Sequence, residues 1–207
     1  MKRLCLFLML SAAGSAEETV RVGLVVSECG RMSTQLQELW MEEVERLLPL
    51  EGVEWHWRTT AAPGVEDWFH LNIVIRVTGQ CRPGLSSLPE VTPGPLGTCG
   101  YCDGEVLPFV TLYCDRVLHQ VRRALPYPAY YQPVWFIRAL ARVTAHELYH
   151  TLSGRREHHE EGLAKALLSD RDLTHSDAAF TPVALEQIRQ GIRGQVLPAE
   201  TVKAEAQ

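Results

Sequence analysis

The sequence of 207 residues lacks any apolar run of the length a membrane-spanning helix needs. Such a helix takes about 20 consecutive apolar residues, and the run from Leu4 to Leu10 is roughly half that before Ser11, Gly14 and Glu17 interrupt it. Positive charge is not in surplus either. Lys and Arg number 20 against 25 Asp and Glu, a formal charge of -5, which argues against a nucleic-acid partner. No internal repeat is visible, which removes solenoid architectures. No methionine follows Met41, and Cys99-x-x-Cys102 has no second closely spaced cysteine pair to complete a four-cysteine zinc site.

What is present begins with Lys2 and Arg3, the apolar run, and small residues ending at Ala16, the layout of a secretory signal peptide. The expectation is cleavage after Ala16, export to the periplasm or the extracellular space, and a mature chain with no membrane anchor. Residues 17–196 are of a size for one domain, expected to be a monomer, and residues 197–207 form a polar tail without periodicity. Export places Cys29, Cys81, Cys99, Cys102 and Cys114 where disulfides persist. An odd count leaves at least one of them unpaired. The expected staple ties the Gly/Pro-rich segment between Gln80 and Gly104 to the strand ending at Cys114, with the pairing left open.

Thr19–Val26 reads as a valine-rich strand, followed by a helix over Ser33–Leu48 with Leu36, Leu39, Trp40, Val44, Leu47 and Leu48 at helical spacing and Pro49 as its stop. Val53–Arg58 and His70–Val77 read as strands, the second apolar enough to be central. Residues 80–104 read as a long loop without regular structure, pinned by its cysteines. Val106–Tyr113 returns as a strand, and Asp115 is expected to cap a short helix reaching Leu125. Later, Glu161–Leu168 and Thr181–Gln190 read as helices, the latter with a threonine cap and proline at its first position.

The chemistry sits on the helix read over Val134–Ser153, closed by Gly154. Apolar residues cover most of its circumference, while Arg138, Arg142 and Tyr149 share a narrow polar strip. Such a helix belongs in the interior, yet it carries His146, Glu147 and His150. Burying a carboxylate costs several kcal/mol unless something pairs with it, and a metal with its water supplies that partner. Positions i and i+4 share one helical face, so His146 and His150 converge on one ion, and zinc (Zn2+) suits neutral imidazole nitrogens. Glu147 points about a quarter-turn away, where it reaches water as a general base without being a ligand.

These residues, His146-Glu147-Leu148-Tyr149-His150, resemble the motif of the zincin metallopeptidases, and the order of elements is similar to that of metzincins. Metzincins add a third histidine just beyond a glycine. Here Gly154 follows His150 by four residues and His158 follows by four more, a loop longer by two than the metzincin pattern. The metzincin methionine turn has no counterpart. The resemblance implies an α+β, zincin-like fold: a twisted mixed sheet packed on a long helix and the motif helix, with a small helical C-terminal part. It implies His146, His150 and His158 as zinc ligands, with His159, Glu160 and Glu161 as alternatives for the third. It also implies Glu147 as the base that activates a zinc-bound water against a peptide bond. Peptide substrate would align against an edge strand, for which Val106–Tyr113 is the candidate. Tyr127, Tyr130, Tyr131 and Tyr149 are candidates for oxyanion support, and Asp170, Asp172, His175 or Asp177 for a partner to a zinc histidine, although a solvated loop is the plainer reading of that stretch. Two other functions fit the same residues: a zinc-binding module without activity, and a zinc hydrolase of a non-protein amide or ester.

Overall fold

The computed structural model describes residues 19–27, 32–59, 68–83, 90–125, 133–175 and 177–196. The expected signal peptide, the C-terminal tail, Cys29, Tyr127, Tyr130 and Tyr131 lie outside these residues. The described elements run β1 (Val20–Ser27), α1 (Thr34–Leu47), β2 (Val53–Thr59), β3 (Leu71–Thr78), β4 (Gly97–Cys102), β5 (Glu105–Tyr113), α2 (Cys114–Ala124), α3 (Pro133–Ser153), α4 (Asp170–Thr174) and α5 (Pro182–Val196). No described helix is long and apolar enough to cross a membrane.

The strands form one sheet in the order β2-β1-β3-β5-β4. All neighbours are parallel except β4, which runs antiparallel to β5 at the edge. β3 is central, in keeping with its apolar composition: Ile73, Ile75 and Val77 are buried, as are Val22, Leu24 and Val26 of β1.

Two expectations about this sheet are corrected. The segment 80–104 is not without regular structure, because its last part is β4. The strand Glu105–Tyr113 is not an edge, because β4 covers it. A two-residue turn at Asp103-Gly104, with φ of 50° and 89°, makes the hairpin, and positive φ at both positions is what twisted hairpins require.

α1 starts at Ser33, whose hydroxyl accepts from Leu36 N–H. It packs on α3, and the fully buried Trp40 donates from Nε1 to Thr144 Oγ1 at 2.9 Å. α2 has no side-chain cap. Asp115 instead accepts from Gln80 N–H at 2.9 Å and holds the loop after β3. The Cys81–Cys114 disulfide joins the same two places. Asp115 is thus a tie between elements rather than the cap the sequence pattern implied.

α3 is the hub, touching α1, α2, α4, α5, β4 and β5. It ends at Gly154, with φ of 66°, the left-handed conformation that glycine adopts without cost. α5 reaches its last turn: Gln195 Nε2 donates to Thr151 O and Leu152 O, two carbonyls a helix end leaves without partners.

Candidate metal centre

His146, Glu147 and His150 lie on α3 and are buried, at 9, 7 and 2 % exposure. The chain beyond Gly154 turns back and sets the exposed His158 over them. Ring centroids are 5.0 Å apart for His146 and His150, 4.8 Å for His150 and His158, and 5.3 Å for His146 and His158. One nitrogen from each ring lies within 4.8 Å of those of the other two. Cys99, Glu160 and Glu161 take no part in this cluster.

The hydrogen bonds of the two buried rings determine which nitrogens face inward. His146 Nδ1 lies 2.7 Å from Leu163 O, and His150 Nδ1 lies 2.8 Å from Arg155 O. A carbonyl accepts, so each Nδ1 carries the hydrogen, and in a neutral ring Nε2 then bears a lone pair. The two Nε2 atoms are 3.4 Å apart with lone pairs converging. Burial opposes relieving this by protonation: it lowers His146 from 6.5 to about 4, and lowers His150 as well. A cation accepting both lone pairs resolves the conflict, and three neutral imidazoles are a donor set that suits zinc. The residues present fit the ion. Backbone carbonyls orient His146 and His150, and neither ring bonds to Asp170, Asp172, His175 or Asp177. Asp172 caps α4 in a capping box with Ser169, and Asp177 pairs with Arg171.

The segment after the ligand loop, expected to be helical over Glu161–Leu168, contains only a 3-10 turn at Gly162–Ala164. The carbonyl of Leu163 faces His146, and the amide of Leu163 donates to Ala179 O, so a regular helix would withdraw both from their partners. His159 turns away from the cluster. Its Nε2 meets Gln187 Oε1 at 2.7 Å and Tyr149 Oη at 3.1 Å, and Tyr149 O–H donates to the same Gln187 oxygen at 2.8 Å. Tyr149 is therefore committed behind the site.

The histidines and Glu147 line an open cleft of about 490 Å³, with β4 as one wall. Sequence reasoning passed over that wall. A Cβ at Gly97 would stand 2.9 Å from Glu147 Oε1 and 2.8 Å from Val143 Cγ1, so only glycine lets the strand lie this close. Burial pushes Glu147 from 4.5 up to about 7, while the thiol and backbone N–H of Cys99 work to lower it. Cys99 Sγ lies 3.0 Å from Tyr101 Oη, and Arg156 lies over the Tyr101 ring at 5.0 Å. The signal that would have found these residues is the Asp-Gly pair at 103–104, which implies a hairpin partner for β5.

No family model matches the chain, and no curated protein matches it. Among solved structures it is similar to the crystal structure of archaemetzincin from Methanopyrus kandleri, at 13% identity and a TM-score of 0.47, over 87% of this chain and 99% of that one. A likeness at this level carries no functional argument, and the site's own geometry has to supply it.

Proposed function

We propose that the chain is an exported zinc-dependent metalloendopeptidase with a zincin-like, metzincin-type domain over residues 17–196. The observation that carries this reading is the convergence of three imidazole nitrogens within 4.8 Å, beside a buried carboxylate, at the wall of an open cleft. His146, His150 and His158 would hold the metal. When bound, zinc supplies Lewis acidity and brings the pKa of a water molecule near 7.

Glu147 is the general base. Burial raises its carboxyl from 4.5 to about 7 before any metal is counted, and its place beside the histidines would let it take a proton from water and return it to the departing amine. A nearby cation draws its pKa down and favours the basic form. That a general base stands beside the histidines supports a catalytic site over a structural one, which closes every position with protein ligands.

β4 is the edge that would receive substrate. One of its sides is paired to β5 and the other has no strand beside it among the described residues, so an extended peptide can add a strand there through its backbone, with little dependence on side-chain identity. Tyr101, on the same strand and lining the cleft, is positioned to contact such a peptide. Export agrees with the Cys81–Cys114 disulfide, a bond that persists in oxidising compartments.

The test is cleavage of a mixed peptide library by the purified mature protein. Wild type should cleave, lose activity to a chelator and regain it with zinc. Glu147→Ala should retain zinc and lose at least about 100-fold in kcat. Cleavage undiminished in Glu147→Ala would overturn the assignment of the base, and zinc retention without cleavage of any peptide would overturn the peptidase reading.

A further inference from the structure

One contact ties the loop that carries His158 to the strand that walls the cleft. Arg156, two residues before His158, is exposed, and its guanidinium carbon lies 5.0 Å from the centroid of the Tyr101 ring. The charge over the π face holds such an arginine, which leaves its N–H fork able to grip a planar anion. Among the described residues no carboxylate or carbonyl receives those N–H groups. Its neighbours in the chain turn elsewhere: the charges of Arg155 and Glu157 act on Tyr149, behind the site, whereas that of Arg156 acts on Tyr101.

The surroundings favour negative charge. Glu147 is the only carboxylate among the described residues that line the cleft, and it is buried. A divalent cation on the three imidazoles would add positive charge close by. Position along β4 then decides which part of a peptide meets Arg156. Gly97 and Cys99 lie against Glu147, and Tyr101 follows on the same face of the strand, about 7 Å beyond Cys99. A peptide added antiparallel to β4, the commoner pairing, passes Tyr101 before it reaches Glu147. A carboxylate beside Arg156 therefore belongs to a side chain, since the peptide continues from there to the bond to be cut.

We propose that Arg156 is a specificity-determining residue, which selects an aspartate or glutamate side chain about two residues before that bond. Its fork donates to both carboxylate oxygens, while the Tyr101 ring supports the guanidinium from β4. The proposal rests on the reading of β4 as the edge that receives substrate.

Peptides ending in a C-terminal hydroxamate test it, because the hydroxamate grips the metal and fixes the register whether or not the chain cleaves anything. Affinity for the zinc-loaded protein is measured by calorimetry at low ionic strength, with Glu, Gln or Lys stepped through the positions before the hydroxamate. Wild type should bind the Glu peptide about fivefold more tightly than the Gln peptide at one position, about two residues from the hydroxamate. Arg156→Met should bind the two equally, and Arg156→Glu should prefer Lys. Hydroxamate binding without a Glu preference, or a Glu preference that persists in Arg156→Met, would overturn the role of Arg156 and leave the metal centre standing. A Glu preference found only in peptides with the hydroxamate at their N-terminal end would put the carboxylate beyond the bond and overturn the assignment. Failure of every hydroxamate to bind would instead be a failure of the metal centre, and the proposal would fall with it.

Discussion

His146 and Glu147 are neighbours on α3, and burial moves their proton affinities in opposite directions. His146 falls from 6.5 to about 4, while Glu147 rises from 4.5 to about 7. In the metal-free protein these shifts are opposing stability terms. Between about pH 6.5 and 4 the unfolded chain takes up a proton that folded His146 refuses, so stability falls as pH falls. Between about pH 7 and 4.5 folded Glu147 binds a proton that the unfolded chain releases, so stability rises as pH falls. Replacing Glu147 with Gln removes the second term alone. The stability of metal-free Glu147→Gln, measured by urea denaturation, should therefore drop relative to wild type by up to about 1.4 kcal/mol per pH unit between pH 7 and 5; parallel pH profiles would contradict the buried, protonated state of Glu147. Gly97 makes a different demand. An alanine there meets Val143 Cγ1 at 2.8 Å and Glu147 Oε1 at 2.9 Å, so it displaces the carboxylate and presses β4 away from α3. Gly97→Ala should keep its metal and lose about 10–100-fold in kcat, and unchanged kcat would show that the position of Glu147 is not set by β4. The i, i+4 spacing of His146 and His150 is local and was plain in the sequence. The approach of Gly97, Cys99 and Tyr101 to Glu147 arises only when the strand from another part of the chain is laid over α3, which no spacing records.

Helices α1 and α3 and strands β1, β2, β3 and β5 were legible from periodicity to within a residue or two, because each buries a face whose repeat is written in its own residues. β4 was not. Its sequence, Gly-Thr-Cys-Gly-Tyr-Cys, has too few apolar residues to show alternation, and it holds its place by pairing with β5 and packing on α3. The segment after His158 misled in the other direction, since its helix-forming residues are limited to one 3-10 turn, whose Leu163 bonds to His146 and Ala179. That segment, with α5, holds the ligand loop. Gln187 of α5 accepts from both Tyr149 and His159, and His159 adjoins His158 in the chain. Gln187→Leu leaves those donors without their acceptor, and competition with a chelator should show zinc affinity reduced about tenfold, as for other residues that support metal ligands indirectly. Unchanged affinity would show that α5 only packs against the loop.

At the scale of the whole molecule, α3 is what makes a site from a sheet and a helical part. It meets α1, β4 and β5 as well as α4 and α5, so the sheet supplies the cleft wall and the C-terminal part supplies the third histidine. The mixed sheet was implied by the zincin resemblance, and the pinning of the Gly/Pro-rich segment after β3 could be read from cysteine placement. The strand order could not, because it depends on crossovers rather than on any one segment. The account stands on the three imidazoles holding an ion together, across the turn at Gly154. Metal content of the purified mature protein tests this most directly, measured beside His158→Ala at equal protein concentration. One zinc per chain in wild type, and loss of zinc from His158→Ala under mild dialysis, is the expected result; a wild-type protein that binds no zinc at neutral pH would contradict the account at its centre.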